Sequence, residues 1–260
     1  FIYAVDPATG ELLQSSRLSS LDPETDDMVD SPGSYDMPPD ALGGLNDILV
    51  GDGTSVYMRH LKFNSSELTH RSAAEDLPGT QDRKLYPALG AHLMSVAGLL
   101  DDAWFNQTYW TIDGRAQSKL LVYDDETAFG VKPYPGAARH SRVIFRPGGE
   151  GYAINATRRP EHKTQWSVRA SIRPLAMLLA GESLFLAGPP DVVPRDDLYA
   201  AFDGDLGSQL LVVSTMDGTM TAEYDLEGVP VFNGMAAAQG RLYISTEEGR
   251  LTCFKAHSVE

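Results

Sequence analysis

The chain has 260 residues, and a chain of that length buries roughly 70–75% of its unfolded surface without needing disulfide or metal staples. Lys and Arg number 21 against 36 Asp and Glu, a net charge of −15; with no cluster of cations to displace counterions, duplex nucleic acid and anionic membranes are poor partners. One cysteine, Cys253, leaves no internal disulfide, and no run of 18 apolar residues is present to span a bilayer.

The elements come as short strands separated by tight turns. Phe1–Val5 and Glu11–Leu13 flank Asp6-Pro7-Ala8-Thr9-Gly10. Residues 19–41 form a long loop in which Asp22, Glu24, Asp26, Asp27, Asp30, Asp36 and Asp40 meet no base. That run lacks the alternating spacing of a calcium loop and reads as a solvated segment. Strands follow at Ile48–Val50 and Ser55–Leu61, then a second long loop at 64–86. In 87–100, Leu89, Leu93, Val96, Ala97 and Leu100 share one helical face, while Gly90 and Gly98 weaken a helix. Pattern alone leaves helix and strand equally placed there.

Further strands are predicted at Leu120–Tyr123, Ala128–Val131, Arg142–Phe145, Tyr152–Ala156, Leu184–Ala187, Leu210–Ser214, Met220–Tyr224, Arg241–Ser245 and Arg250–Phe254. The turns carry Gly at Asp52-Gly53, Gly148-Gly149, Asp217-Gly218 and Glu248-Gly249, where tight hairpins need positive φ. Asp196–Phe202 reads as one short helical insert with acids at its start.

Residues 2–18 and 210–226 are two copies of one strand–turn–strand unit, 208 residues apart. Blades of about 40–50 residues would set them some five blades apart. The expected fold is therefore all-β: a partial or degenerate β-propeller holding about five or six blades' worth of strands across 1–260, with loop insertions near 19–41 and 64–86. Because Phe1 falls inside a strand pattern, ring closure is expected to borrow a strand from the far terminus, or the ring to be incomplete.

The densest chemical cluster is Asp101, Asp102, Trp104, Tyr109 and Trp110. Carboxylates beside large rings suit a cation or a sugar stacked on an indole, or simply packing between blades. On a strand, adjacent aspartates point to opposite faces and rarely act on one ligand. Gly188-Pro189-Pro190-Asp191 leaves an apolar strand rigidly, and Asp191 either shapes the loop or faces the channel. No catalytic constellation and no metal site emerges. The six histidines lack metal-ligand spacing, and neither a G-x-S-x-G elbow nor a phosphate-binding G-x-x-x-x-G-K-[ST] loop occurs.

Ala4-x-Asp6-x-x-Thr9-Gly10-x-Leu12 resembles the pyrroloquinoline-quinone (PQQ) repeat of quinoprotein dehydrogenases and of many non-enzymatic propellers. Gly240–Leu251 looks like the same repeat. Gly98–Phe105 with Thr108–Trp110, Ala187–Asp191 and Pro230–Ala238 resemble uncharacterised PQQ-like propeller proteins of planctomycete type. The resemblance implies a quinoprotein-like propeller of the bacterial cell envelope, periplasmic or extracellular. In the repeat a Trp docks on the neighbouring blade, and Gln14 and Ala222 stand in its place here, so docking is expected to rely on other aromatics. The leading expectation is a non-catalytic binding or scaffold module, leaning away from an enzyme, with a small molecule or protein held at the axis or long loops. One alternative is a PQQ- and calcium-dependent dehydrogenase with part of its site outside this segment. Another is a carbohydrate-binding propeller using Trp104, Tyr109 and Trp110. The ligand candidates are thus Asp101, Asp102, Trp104, Tyr109, Trp110 and Asp191.

Overall fold

A computed structural model describes residues 1–17, 48–58, 61–64, 66–72, 92–97, 109–113, 116–133, 148–149, 151–159 and 161–255. The expected strand at Arg142–Phe145 and the loop at 19–41 lie outside them. The chain divides into two compact units, Phe1–Arg115 and Ala116–Glu260. The fold is all-β, of partial β-propeller type, built from antiparallel four-stranded meanders with one short helix among the described residues.

Unit 1 opens with the hairpin β1 (Ile2–Val5) and β2 (Leu12–Ser16). A four-stranded sheet follows in sequence order: β3 (Leu49–Gly51), β4 (Val56–Met58), β5 (Leu61–Phe63) and β6 (His70–Ser72). The run expected as one strand, Ser55–Leu61, is two strands, β4 and the start of β5. Ile2 of the hairpin packs with Met58, Leu61, Phe63 and Leu68 of the sheet, all buried. β7 (Met94–Ala97) pairs antiparallel with β8 (Tyr109–Ile112). The ambiguous 87–100 segment is therefore strand over 94–97.

Unit 2 carries β9 (Ala116–Ser118) and two complete meanders. The first is β10 (Leu120–Tyr123), β11 (Thr127–Lys132), β12 (Tyr152–Arg158) and β13 (Lys163–Ala170). The second is β14 (Ala176–Ala180), β15 (Ser183–Gly188), α1 (Ala200–Asp203), β16 (Ser208–Ser214) and β17 (Met220–Leu226). A three-stranded sheet ends it: β18 (Pro230–Ala238), β19 (Arg241–Thr246) and β20 (Leu251–Lys255).

The first strands of these sheets neighbour one another, β14 lying beside both β10 and β18, and the Asn233 N–H donates to the Leu175 carbonyl at 3.0 Å. Each later strand lies one step further from that edge. The middle sheet is buried on both faces, which strand alternation makes possible. Leu184, Leu186, Leu211 and Val213 face the preceding sheet's Phe129, Ile154 and Ala156. Ala187 and Leu210 turn the other way, toward Leu242 and Ile244.

The repeat seen in sequence is a turn of fixed geometry. In residues 6–10 the Gly10 N–H donates to the Asp6 carbonyl at 2.8 Å, and Asp6 Oδ1 accepts the Ala8 and Thr9 N–H groups at 2.8 Å. In residues 214–218 the Gly218 N–H donates to the Ser214 carbonyl at 3.0 Å. The same bond closes 64–68, from Leu68 to Asn64, and 158–162, from His162 to Arg158, each at 2.8 Å. The last residue has positive φ every time: 73° at Gly10, 54° at Leu68, 60° at His162 and 78° at Gly218. Each turn joins the last two strands of its sheet, so β1–β2 has the form of an outer hairpin.

Counting from these turns, Trp166 occupies the position held by Gln14 and Ala222. Trp166 Nε1 donates to the Thr215 carbonyl at 2.9 Å, in the turn of the following sheet. Gly218 leaves room for the ring: a Cβ there would stand 2.7 Å from Trp166 Cε3. The expectation that other aromatics replace the docking Trp is corrected for this pair of sheets. In unit 1, Gln14 Nε2 donates in the same sense to the Ser66 carbonyl of the 64–68 turn. The contact survives a change of chemistry.

Candidate functional site

Two segments of unit 2 run side by side ahead of β14 and beyond β15. The Arg173 N–H donates to the Pro189 carbonyl at 2.7 Å and the Asp191 N–H to the Ser171 carbonyl at 2.8 Å, with a bridge between Ile172 and Pro190. Gly188 permits the approach, since a Cβ there would fall 2.0 Å from the Arg173 carbonyl oxygen. The Gly-Pro-Pro-Asp run thus extends the β14–β15 pairing and fixes Asp191 in place.

The β15–β16 connection then doubles back through α1. Asp197 Oδ1 accepts the Tyr199 N–H at 3.0 Å at the helix start. Gly204, with φ of 88°, ends the helix in the left-handed region. The predicted insert at Asp196–Phe202 is a helix only over Ala200–Asp203. Ala200 and Ala201 are buried while Phe202 stays exposed.

Between these segments lies a cleft of about 300 Å³, floored by Arg173 and Asp191 and walled by Val192, Val193, Leu198 and Phe202. Arg173 is buried, its guanidinium 4.4 Å from the Phe202 ring centroid, and Nη2 donates to the Phe202 carbonyl at 3.3 Å. Burial lowers the Arg173 pKa, against the opposing pull of charges that include Asp191, Glu247 and Asp203. Burial raises the Asp191 pKa, opposed by the Gly148 N–H, which donates to Oδ1 at 3.2 Å, and by the Arg173 charge.

Two more ionisable groups sit in the same electrostatic neighbourhood. Tyr152, at the start of β12, is fully buried, and its hydroxyl has no hydrogen-bond partner among the described residues. Burial first, and the Asp191 charge second, push its pKa up. Half-buried Lys119, just before β10, has its pKa lowered to about 8 by burial and then by the like charge of Arg173. Residues from four places in the chain thus lie toward one end of the sheets.

Of the sequence candidates, Asp191 is in this cleft. Asp101, Asp102 and Trp104 lie outside the described residues. Tyr109 and Trp110 are on β8 in unit 1, with Trp110 opposite Ser95 and only 5% exposed. A ring so covered offers no open face to a sugar. Arg173, Tyr152, Lys119 and Phe202 carry no sequence signal: each is a single residue in a run without a motif, and only the sheet topology gathers them.

Unit 1 has a polar cleft of about 370 Å³ lined by Thr54, Ser55, Lys62, Asn64 and His70. Nearby, Asp52 is fixed by hydrogen bonds from Thr54, Ser55 and the Tyr57 hydroxyl at 2.7 to 2.9 Å. Burial raises its pKa, but those bonds outweigh it and hold the carboxyl well below the usual range. The Tyr57 ring stacks on His92 at 4.1 Å.

Chemically, the unit 2 cleft offers apolar walls over a buried arginine and a buried aspartate. The described lining contains no Ser, Cys or His to serve as nucleophile or base. Among the described residues no three His, Cys, Asp or Glu side chains gather to hold a metal.

No family model matches the chain, and no curated protein does. Among solved structures the chain is similar to the crystal structure of BamB from Moraxella catarrhalis, at 12% identity and a TM-score of 0.40. That match covers 82% of this chain and 58% of the other. The propeller assignment stands on the strand order, the neighbouring first strands and the recurring turn. No helix among the described residues is long and apolar enough to cross a membrane.

Proposed function

We propose that the protein is a non-catalytic binding or scaffold module built on PQQ-like blades, and that its ligand seats in the Arg173–Asp191 cleft of unit 2. The observation that carries this reading is the cleft itself. Two buried ionic side chains, held by backbone bonds on both sides, floor an apolar space that opens to solvent. A buried arginine and a buried aspartate under exposed apolar walls suit recognition of a ligand without chemistry on it. Asp191 serves as a floor carboxylate, while Tyr109 and Trp110 belong to β8 of unit 1 and not to this ligand. Placement in the bacterial cell envelope, facing the periplasm or the exterior, rests on the repeat resemblance.

The purified chain is to be assayed for dye-linked alcohol and aldose oxidation with added PQQ and calcium. The expected outcome is no turnover above a sample without protein. Sustained turnover that depends on both additions would overturn the reading in favour of a quinone-dependent dehydrogenase.

A further inference from the structure

The apolar wall of the cleft continues outside it. Val192 is 45% exposed, Leu198 61%, Tyr199 68%, Phe202 53% and Leu206 48%. These side chains fall within one connection between β15 and β16, and all five are exposed. A ligand confined to about 300 Å³ would leave most of them in water. Scattered single hydrophobics are normal on a surface, but a group such as this marks a site of association.

The charges around the patch have one sign. Asp196, Asp197, Asp203 and Asp205 are exposed within the connection, against Arg195 alone. The Arg173 charge below already lies in the field of Asp191, Glu247 and Asp203. An approaching chain therefore meets apolar side chains ringed by carboxylates, on a protein of net charge −15. Charge of opposite sign would steer it in and suppress acidic competitors.

We propose that the β15–β16 connection is a docking surface for an extended segment of a partner protein that carries bulky apolar side chains next to Lys or Arg. The apolar side chain enters between Val193 and Phe202, and the basic groups lie against Asp196, Asp197 and Asp203. This inference deepens the binding-module reading and rests on it.

The test uses fluorescence anisotropy of three labelled peptides with the full 260-residue chain. Their sequences are Gly-Ser-Leu-Phe-Lys-Arg-Ser-Gly, Gly-Ser-Leu-Phe-Glu-Asp-Ser-Gly and Gly-Ser-Ser-Ser-Lys-Arg-Ser-Gly. The first is expected to bind at least about tenfold more tightly than either other, and to weaken as salt rises. Leu198→Asp and Tyr199→Ser alter exposed side chains and are expected to weaken it by about tenfold. Met216→Ser, on an exposed turn elsewhere, is expected to change nothing. Equal or tighter binding of the acidic peptide overturns the basic preference and leaves the binding-module reading standing. Binding undiminished by Leu198→Asp and Tyr199→Ser overturns the location. Binding of none of the three overturns the inference, while the oxidation assay separately decides the module reading.

Discussion

Replacing Trp166 separates its two contributions to the junction between adjacent sheets. The indole is half-buried, sits 6.0 Å from the Phe129 ring, covers Gly218 and donates to the Thr215 carbonyl. A fully buried Trp removes about 150–250 Å² from water. Half of that, at about 25 cal/mol per Å², is worth about 2–3 kcal/mol. The hydrogen bond adds about 1 kcal/mol. Trp166→Ala is therefore expected to destabilise unit 2 by about 3 kcal/mol, and Trp166→Phe, which keeps most of the ring, by about 1 kcal/mol. The assay is urea unfolding followed by circular dichroism, because tryptophan fluorescence changes with the substitution itself. With a slope of about 2 kcal/mol per molar, the Ala variant moves the midpoint down by about 1.5 M. A loss below about 1 kcal/mol for Trp166→Ala, or equal losses for Ala and Phe, would refute the account of the junction.

Two further outcomes follow from the cleft. Gly188→Ala places a methyl against the Arg173 carbonyl oxygen, and is expected to cost about 2–4 kcal/mol and to raise proteolysis within 189–207; a neutral result in the same unfolding assay would contradict the close pairing. The lowered Lys119 pKa, about 8, lies below the value of about 10.4 for an unfolded lysine. The folded chain thus binds fewer protons than the unfolded chain between those values. Stability rises with pH across that window, and the penalty is fully present below about pH 8. Lys119→Met is expected to raise stability at pH 7 by about 1–2 kcal/mol, the water reaching a half-buried amine reducing the full effect, and to remove the rise with pH; a variant less stable than the parent at pH 7 would show the burial penalty to be absent.

The hairpins at 6–10 and 214–218 were legible in sequence because Gly marks their positive-φ residue and Asp or Ser opens the turn. The copies at 64–68 and 158–162 were not, because Leu68 and His162 take the same conformation without the glycine signature. β13 escaped for a related reason: Lys163, Thr164, Gln165, Ser167 and Arg169 leave Trp166, Val168 and Ala170 as its only inward apolar residues. The 87–100 pattern fitted either period, and tertiary pairing with β8 decided for strand at 94–97. At the site, Asp191 stood out because two prolines precede it. Its partners Arg173, Tyr152 and Lys119 lie up to 72 residues away in sequence, and they meet only because successive meanders place the same strand ends together.

A double-mutant cycle on Trp166 and Gly218 tests most directly whether the recurring turn is where one blade seats on the next. Alone, Gly218→Ala must bear both the left-handed backbone at 78° and a methyl pressed into the indole. In a Trp166→Ala background only the backbone cost of about 1–2 kcal/mol remains. A coupling of at least about 1 kcal/mol is therefore predicted. Additivity within about 0.5 kcal/mol would mean that the ring and the turn do not touch, and would contradict the seating of one blade on the next through the recurring turn.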